Sequence, residues 1–195
     1  MGNLGGLAAA VARNCRTARL DALRSPPGPG NLRYVSWFRR RREVDGPVPE
    51  RTAAPTDPAG VGYRLYDAIA LVSFTSLNAS QRRLVALGDL HMEVNNGGFH
   101  QYFFNSAGDH VEHALAAAIE TDAAELVDLI QRARATMPGV DSPDRARRQR
   151  ILARWDDEAF ARLEPLDNEY YRIERDFSSD MDNLVWAHKD DFFSP

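Results

Sequence analysis

Cysteine is nearly absent: Cys15 is the single one in 195 residues. That excludes an intramolecular disulfide framework and fits a reducing compartment. Lysine is just as scarce, with Lys189 alone beside 23 arginines. No apolar run approaches the ~18–20 residues of a membrane-spanning helix, so no span is expected. No stretch alternates apolar and polar residues for long enough to argue a strand. Motifs of catalysis are missing as well. The chain has no His-Glu-x-x-His, no Glu-x-x-His, no Gly-x-Ser-x-Gly around Ser106, and no Gly-rich phosphate loop. Hydrolase, zinc-protease, di-iron and nucleotide-binding chemistry therefore lose their usual sequence warrants.

What is present is a charge asymmetry. The formal net charge of −4 conceals a basic arm and an acidic body. Residues 1–58 carry ten Arg against five acids, whereas residues 59–195 carry 13 Arg and one Lys against 23 acids. The arm is broken by "SPPGPG", "DGPVPE" and "APTDPAG" and is expected to be disordered, apart from a short helix between Leu7 and Leu23. Arg39–Arg42, beside Trp37 and Phe38, read as a solvated charge run, with contact to nucleic acid or an anionic membrane as the alternative. "LGGLAAAVA" has no positive charge before it and "MGNLGG" lacks the Ser or Thr of a myristoylation site. Neither a signal peptide nor a lipid anchor is expected; an organelle transit peptide, which the Arg-rich composition loosely resembles, and translated upstream sequence stay open for the arm, and the location is expected to be cytoplasmic.

From residue 59 onward the apolar spacing is helical, and the body reads as one compact all-α domain of seven or eight helices. Tyr63, Tyr66, Ile69 and Phe74 mark a first helix. Ser80 is the expected N-cap of a second, with Leu84, Leu87, His91 and Val94 as its stripe. Asn95–Gly98 should end it, and Phe99, Tyr102 and Phe103 should form a short aromatic helix after it. Asp109 with Glu112 suggests a capping box for a helix striped by Val111, Leu115 and Ile119. Thr121 should cap the next, with Leu126, Leu129, Ile130, Ala133 and Met137 inward, and Pro138-Gly139 should stop it. Ser142-Pro143 should open a helix bearing Ile151, Leu152 and Trp155. Leu166, Tyr170, Ile173 and Phe177 suggest one more, and Met181, Leu184, Val185 and His188 the last.

Histidines are the first place to look for chemistry. His91, Glu93, His100, His110 and His113 lie close in sequence, and His110 and His113 share a helix face at i, i+3. A small metal-dependent enzyme using His91, His110 and His113 is one alternative reading. The other is nucleic-acid binding through the arm. His91 lies on an apolar stripe, where a hydrogen-bonded core histidine is commoner than a ligand. No metal, cofactor or catalytic residue is expected.

Acids are more informative. Asp156, Asp157, Glu158, Glu164, Asp167, Glu169, Glu174, Asp176, Asp180 and Asp182 face only Arg162, Arg172 and Arg175 in the same window. Glu120, Asp122, Glu125 and Asp128 form a second cluster. Carboxylates spaced along helices imitate a phosphate backbone, so a basic DNA-binding surface is the partner they suit.

One stretch is distinctive: "EVNNGGFHQYFFNSAGD", Glu93 to Asp109. Read physically it is a joint that ends one helix, buries its rings and starts the next. With the flanking "LGDLHM" and "DHVEHALAAAIETDAAELVDLIQRA" it resembles the signature of a bacterial DNA-mimic-protein family, formerly a domain of unknown function. The matching residues are Asn95, Asn96, Gly97, Gly98, Phe99, Gln101, Phe103, Asn105 and Gly108, and the resemblance runs from about Gly60 to Phe193. It implies a helical fold, no established catalytic residue, and for the best-known member an acidic dimer that occupies the DNA-binding face of a transcription factor. Two features depart from that pattern: the basic arm, and "RARRQR" at Arg145–Arg150, which places four positive charges inside the acidic body. The expectation is a non-enzymatic protein that binds a basic protein partner, with a homodimer of this chain as an open arrangement, no membrane and no direct nucleic-acid binding.

Overall fold

The computed structural model describes residues 47–173 and 176–195. The expectations on Cys15, the Leu7–Leu23 helix, Arg39–Arg42 and Glu174 lie outside the described residues. The first helix, α1 (Val61–Ile69), starts from Gly60 in the left-handed conformation at φ 68°. Its free amides are satisfied from far along the chain: Gly60 N and Gly62 N donate to the Asp182 carboxylate at 2.7 and 2.6 Å. Helix α2 (Ala79–Phe104) begins with a capping box between Asn78 and Gln81. Asn78 takes the place expected of Ser80, whose hydroxyl instead donates to Asp191 at 2.6 Å.

After a 3-10 turn over Ser106–His110, the chain forms α3 (Val111–Glu120), α4 (Ala124–Thr136), α5 (Arg145–Leu152), α6 (Asp157–Ala161), α7 (Glu164–Tyr170), α8 (Phe177–Ala187) and α9 (Lys189–Phe192). The domain is all-α as expected, and no strand occurs among the described residues, only an isolated parallel bridge between Ala53 and Ser194. Beside that bridge Ser194 N donates to Thr52 O at 3.0 Å and Arg51 to Asp190 O at 2.6 Å, so residues 51–53 run along the C-terminal segment.

Helix α2 is the axis of the domain, with α1, α3, α5, α7, α8 and α9 all packed on it. Leu84, Leu87, Leu90, Val94, Phe99, Tyr102 and Phe103 are fully buried. Each such side chain contributes roughly 1.5–3 kcal/mol of transfer free energy. The stripe of Leu84, Leu87, His91 and Val94 is inward as expected, but burial extends through every residue from Leu84 to His91. A helix wrapped on all sides carries apolar and small residues all round, so a single stripe understates it. Gly88 shows how tight the wrap is: a Cβ there would lie 2.5 Å from the Tyr66 ring of α1.

Several boundaries fall elsewhere than the periodicity suggests. Thr121 closes α3 rather than opening α4, its hydroxyl donating to Ala117 O at 3.0 Å. Asp144, not Ser142, caps α5 by accepting the Arg147 amide. Asp109 makes no side-chain cap on α3, because its carboxylate is taken by Arg148. The apolar face of α3 is Val111, Ala114, Ala117 and Ala118, with Leu115 half-buried and Ile119 60% exposed. Alanines there let α3 approach α2 closely, and a stripe drawn through the largest side chains misses that. Leu166, Tyr170, Ile173 and Phe177 do not share a helix: α7 ends at Tyr170 and α8 starts at Phe177.

Candidate functional site

The joint in α2 is built from backbone outward. Gly97 (φ −162°) and Gly98 (φ 74°, ψ −176°) leave helical geometry and divide α2 into two helical arms. Gly98 is in a region that L side chains rarely adopt, which explains glycine there. The break exposes amides that lack an i−4 partner, and one of them is met from α7. Phe99 N donates to Asp167 Oδ1 at 2.8 Å. That carboxylate fills the space beside Gly98, where a Cβ would lie 2.3 Å from Asp167 Oδ2.

Signature polar residues bond across the same break. Asn95 Nδ2 donates to His91 O at 2.8 Å, closing the first arm. Gln101 Nε2 and Asn105 Nδ2 both donate to Glu93 Oε2, at 2.8 and 2.9 Å. Glu93 is buried, and paired amide donors keep a buried carboxylate stable. Gly108 passes close to the aromatic arm: a Cβ would lie 2.9 Å from Tyr102 O. Phe99, Tyr102 and Phe103 plug the core beneath. The stretch Glu93–Asp109 thus acts as a joint.

A residue that sequence reading missed completes it. Arg148 is fully buried, although it sits in an arginine run that reads as surface charge. Its guanidinium donates to Phe103 O at 2.9 Å, Ser142 O at 2.7 Å and Asn105 O at 2.9 Å, and pairs with Asp109. It therefore satisfies the carbonyls that end α2 and ties α5 to them. The only local signal is phase: Arg148 and Leu152 lie on one face at i, i+4, both buried.

The histidines are divided among aromatic partners. His91 Nδ1 lies 2.8 Å from the Tyr170 hydroxyl and its ring is 3.9 Å from Phe177. His110 stacks on Phe74 at 3.5 Å, and His113 meets the same ring edge-on at 5.2 Å. Burial lowers the pKa of His110 and of His113, favouring neutral rings. Burial likewise holds the phenols of Tyr170 and Tyr102 far above the usual tyrosine range, so neither ionises near neutral pH. Among the described residues, no three His, Cys, Asp or Glu side chains are grouped to hold a metal.

The acidic residues divide into two kinds. Asp167 and Asp180 are buried at 3% and 2% exposure, so they leave the surface set expected from sequence. Asp182 binds the start of α1. Asp156, Asp157, Glu158, Glu169 and Asp176 are exposed, and Glu164 is half-buried. Asp156 accepts from Ala159 N and Asp176 from Ser178 N, each capping its helix. Glu169 is held by Arg132 at 2.6 Å. In the second cluster, Glu120 pairs with Arg83 at 3.0 Å and Asp128 with Arg132 at 2.7 Å.

No curated protein and no solved structure matches the chain. A family model described as DMP19-like protein matches residues 75–189. The matched span runs from the turn before α2 to the first residue of α9, and so contains the whole joint with Glu93, Asp167 and Arg148. With more than half of its residues matched, this chain belongs to the DMP19-like protein family, the family of DNA mimic proteins.

Proposed function

We propose that this protein binds a basic surface of another protein, in the manner of a DNA mimic, through carboxylates held in place on α6, α7 and α8. The observation that carries this reading is that several surface acids are fixed. Asp156 and Asp176 are tethered as N-caps, and Glu169 is clamped by Arg132. A phosphate backbone presents charge at set spacings, and a carboxylate that cannot swing imitates it better than a free one. No catalytic role is part of the proposal, since His91, His110 and His113 are committed to packing.

The test is affinity capture from the native host with the full chain as bait. Expected captures are DNA-binding proteins that are released by added salt and by competing duplex DNA, because both act on charge. A Glu158→Gln, Glu169→Gln variant should capture less of them at a nearly unchanged melting temperature, since both residues are exposed. Capture that ignores both salt and duplex DNA would sink the proposal.

A further inference from the structure

We infer a second surface, which meets those carboxylates at Asp156: a face for single-stranded nucleic acid formed by α5, the turn after it and the rings beside it. Arg147 and Arg150 lie at i, i+3 on one side of α5, Arg154 follows in the turn that closes the helix, and all three are exposed. Among the described residues, none of the three guanidinium groups has a carboxylate or carbonyl partner. That distinguishes them from Arg83, Arg132, Arg134 and Arg148, which each hold an acid. The acids at the two ends of the face, Asp144 and Asp156, direct their carboxylates to backbone amides.

Rings adjoin this face. Gln149 on α5 donates to Phe104 O at 3.1 Å, which places the end of α2 against α5, and Phe104 is 39% exposed there. Trp155 follows Arg154 directly and lies 5.7 Å from Phe160, both rings half-buried. Unpaired guanidinium groups suit phosphates, and the exposed Phe104 ring, with the half-buried Trp155 beside Arg154, suits unstacked bases. An acidic polypeptide would satisfy the arginines and leave the rings unused, and a duplex keeps its bases stacked away from such rings. The chain as a whole carries −4, so the attraction is local and salt must weaken it steeply.

The experiment is fluorescence anisotropy of a labelled oligothymidylate of about 20 nucleotides with the full chain across a salt series. Binding at low salt is expected, with log affinity falling linearly against log salt. The triple variant Arg147→Gln, Arg150→Gln, Arg154→Gln should flatten that slope by about 2, and the matching triple Lys variant should restore it. Phe104→Ser should weaken binding about tenfold while leaving the slope unchanged, because stacking releases no counterions. Three results would overturn the inference: no binding at low salt, wild-type affinity in the triple Gln variant, or equal competition by polyglutamate. The last would reassign the face to acidic polypeptides. None of the three bears on the carboxylate surface proposed above, whose probe is a basic protein.

Discussion

Asp167 accepts the amide of Phe99 at 2.8 Å across the joint of α2, although the two residues are 68 positions apart. The same carboxylate closes the space beside Gly98. An acid that reads as part of a charged surface is therefore a structural partner of the signature. Replacing Asp167 with Ala leaves the buried Phe99 amide without its acceptor, at a cost of about 2–3 kcal/mol. Thermal melting should show a large drop. Asp167→Asn, which keeps a carbonyl oxygen, should lose less. If both variants melt like wild type, the bond does not support the joint.

The two glycines of the joint should respond unequally. Gly98→Ala meets both a positive φ and the Asp167 carboxylate, and is expected to cost about 3 kcal/mol or more. Gly97 has no positive φ, and a new Cβ there would meet the Gln101 side chain, from Oε1 to its Cβ at 2.9 Å. Gly97→Ala therefore displaces Gln101 from Glu93, which keeps its Asn105 donor, and should cost about 1.5–2 kcal/mol, less than Gly98→Ala. Denaturant titration of the two variants reads the difference, and equal losses would contradict this account.

Arg148 holds three backbone carbonyls and one carboxylate in a buried setting. Arg148→Met should destabilise by about 3–5 kcal/mol, because the acceptors lose their partner and the Asp109 charge is left uncompensated. Arg148→Lys should recover little, since an ammonium cannot reproduce the planar fork. By contrast, Arg147→Met and Arg150→Met should leave the melting temperature almost unchanged, as both residues are exposed.

Acid should weaken the packing around Phe74. Burial lowers His110, against the opposing charge of Asp109, and burial lowers His113 with help from Arg82 and Arg83. Both folded values lie below the unfolded value of about 6.5, so below that pH the unfolded chain binds more protons than the folded one. Stability from these two rings is present above about pH 6.5 and is lost as pH falls through the lower folded values. A His110→Phe, His113→Leu variant should show a smaller fall in melting temperature between about pH 8 and about pH 5.5 than wild type. An identical fall would rule these histidines out as its source.

Most of the helix inventory is legible in the sequence because it rests on local pattern. The stripes of α2 and α4, the aromatic plug and the break at Asn95–Gly98 all follow from neighbours within a few positions. Caps were harder to read. Asn78, Asp144 and Asp156 each accept an amide three residues on, yet nearby Ser80 and Ser142 fit the same pattern. The face of α3 escapes a sequence reading for a different reason: its close packing uses alanine, which carries little hydrophobic weight by itself.

By itself, then, the sequence determined that the domain is helical, where its main helices lie, and that Glu93–Asp109 is a joint between helical arms. Only the tertiary structure decided the fate of individual charges. Arg148 and Asp167 look like their exposed neighbours in composition and spacing, yet both are buried. Their partners, Phe103 and Phe99, lie 45 and 68 residues away. Whether a charge is solvated or locked depends on what packs over it, and contacts at that separation leave no periodic trace along the chain.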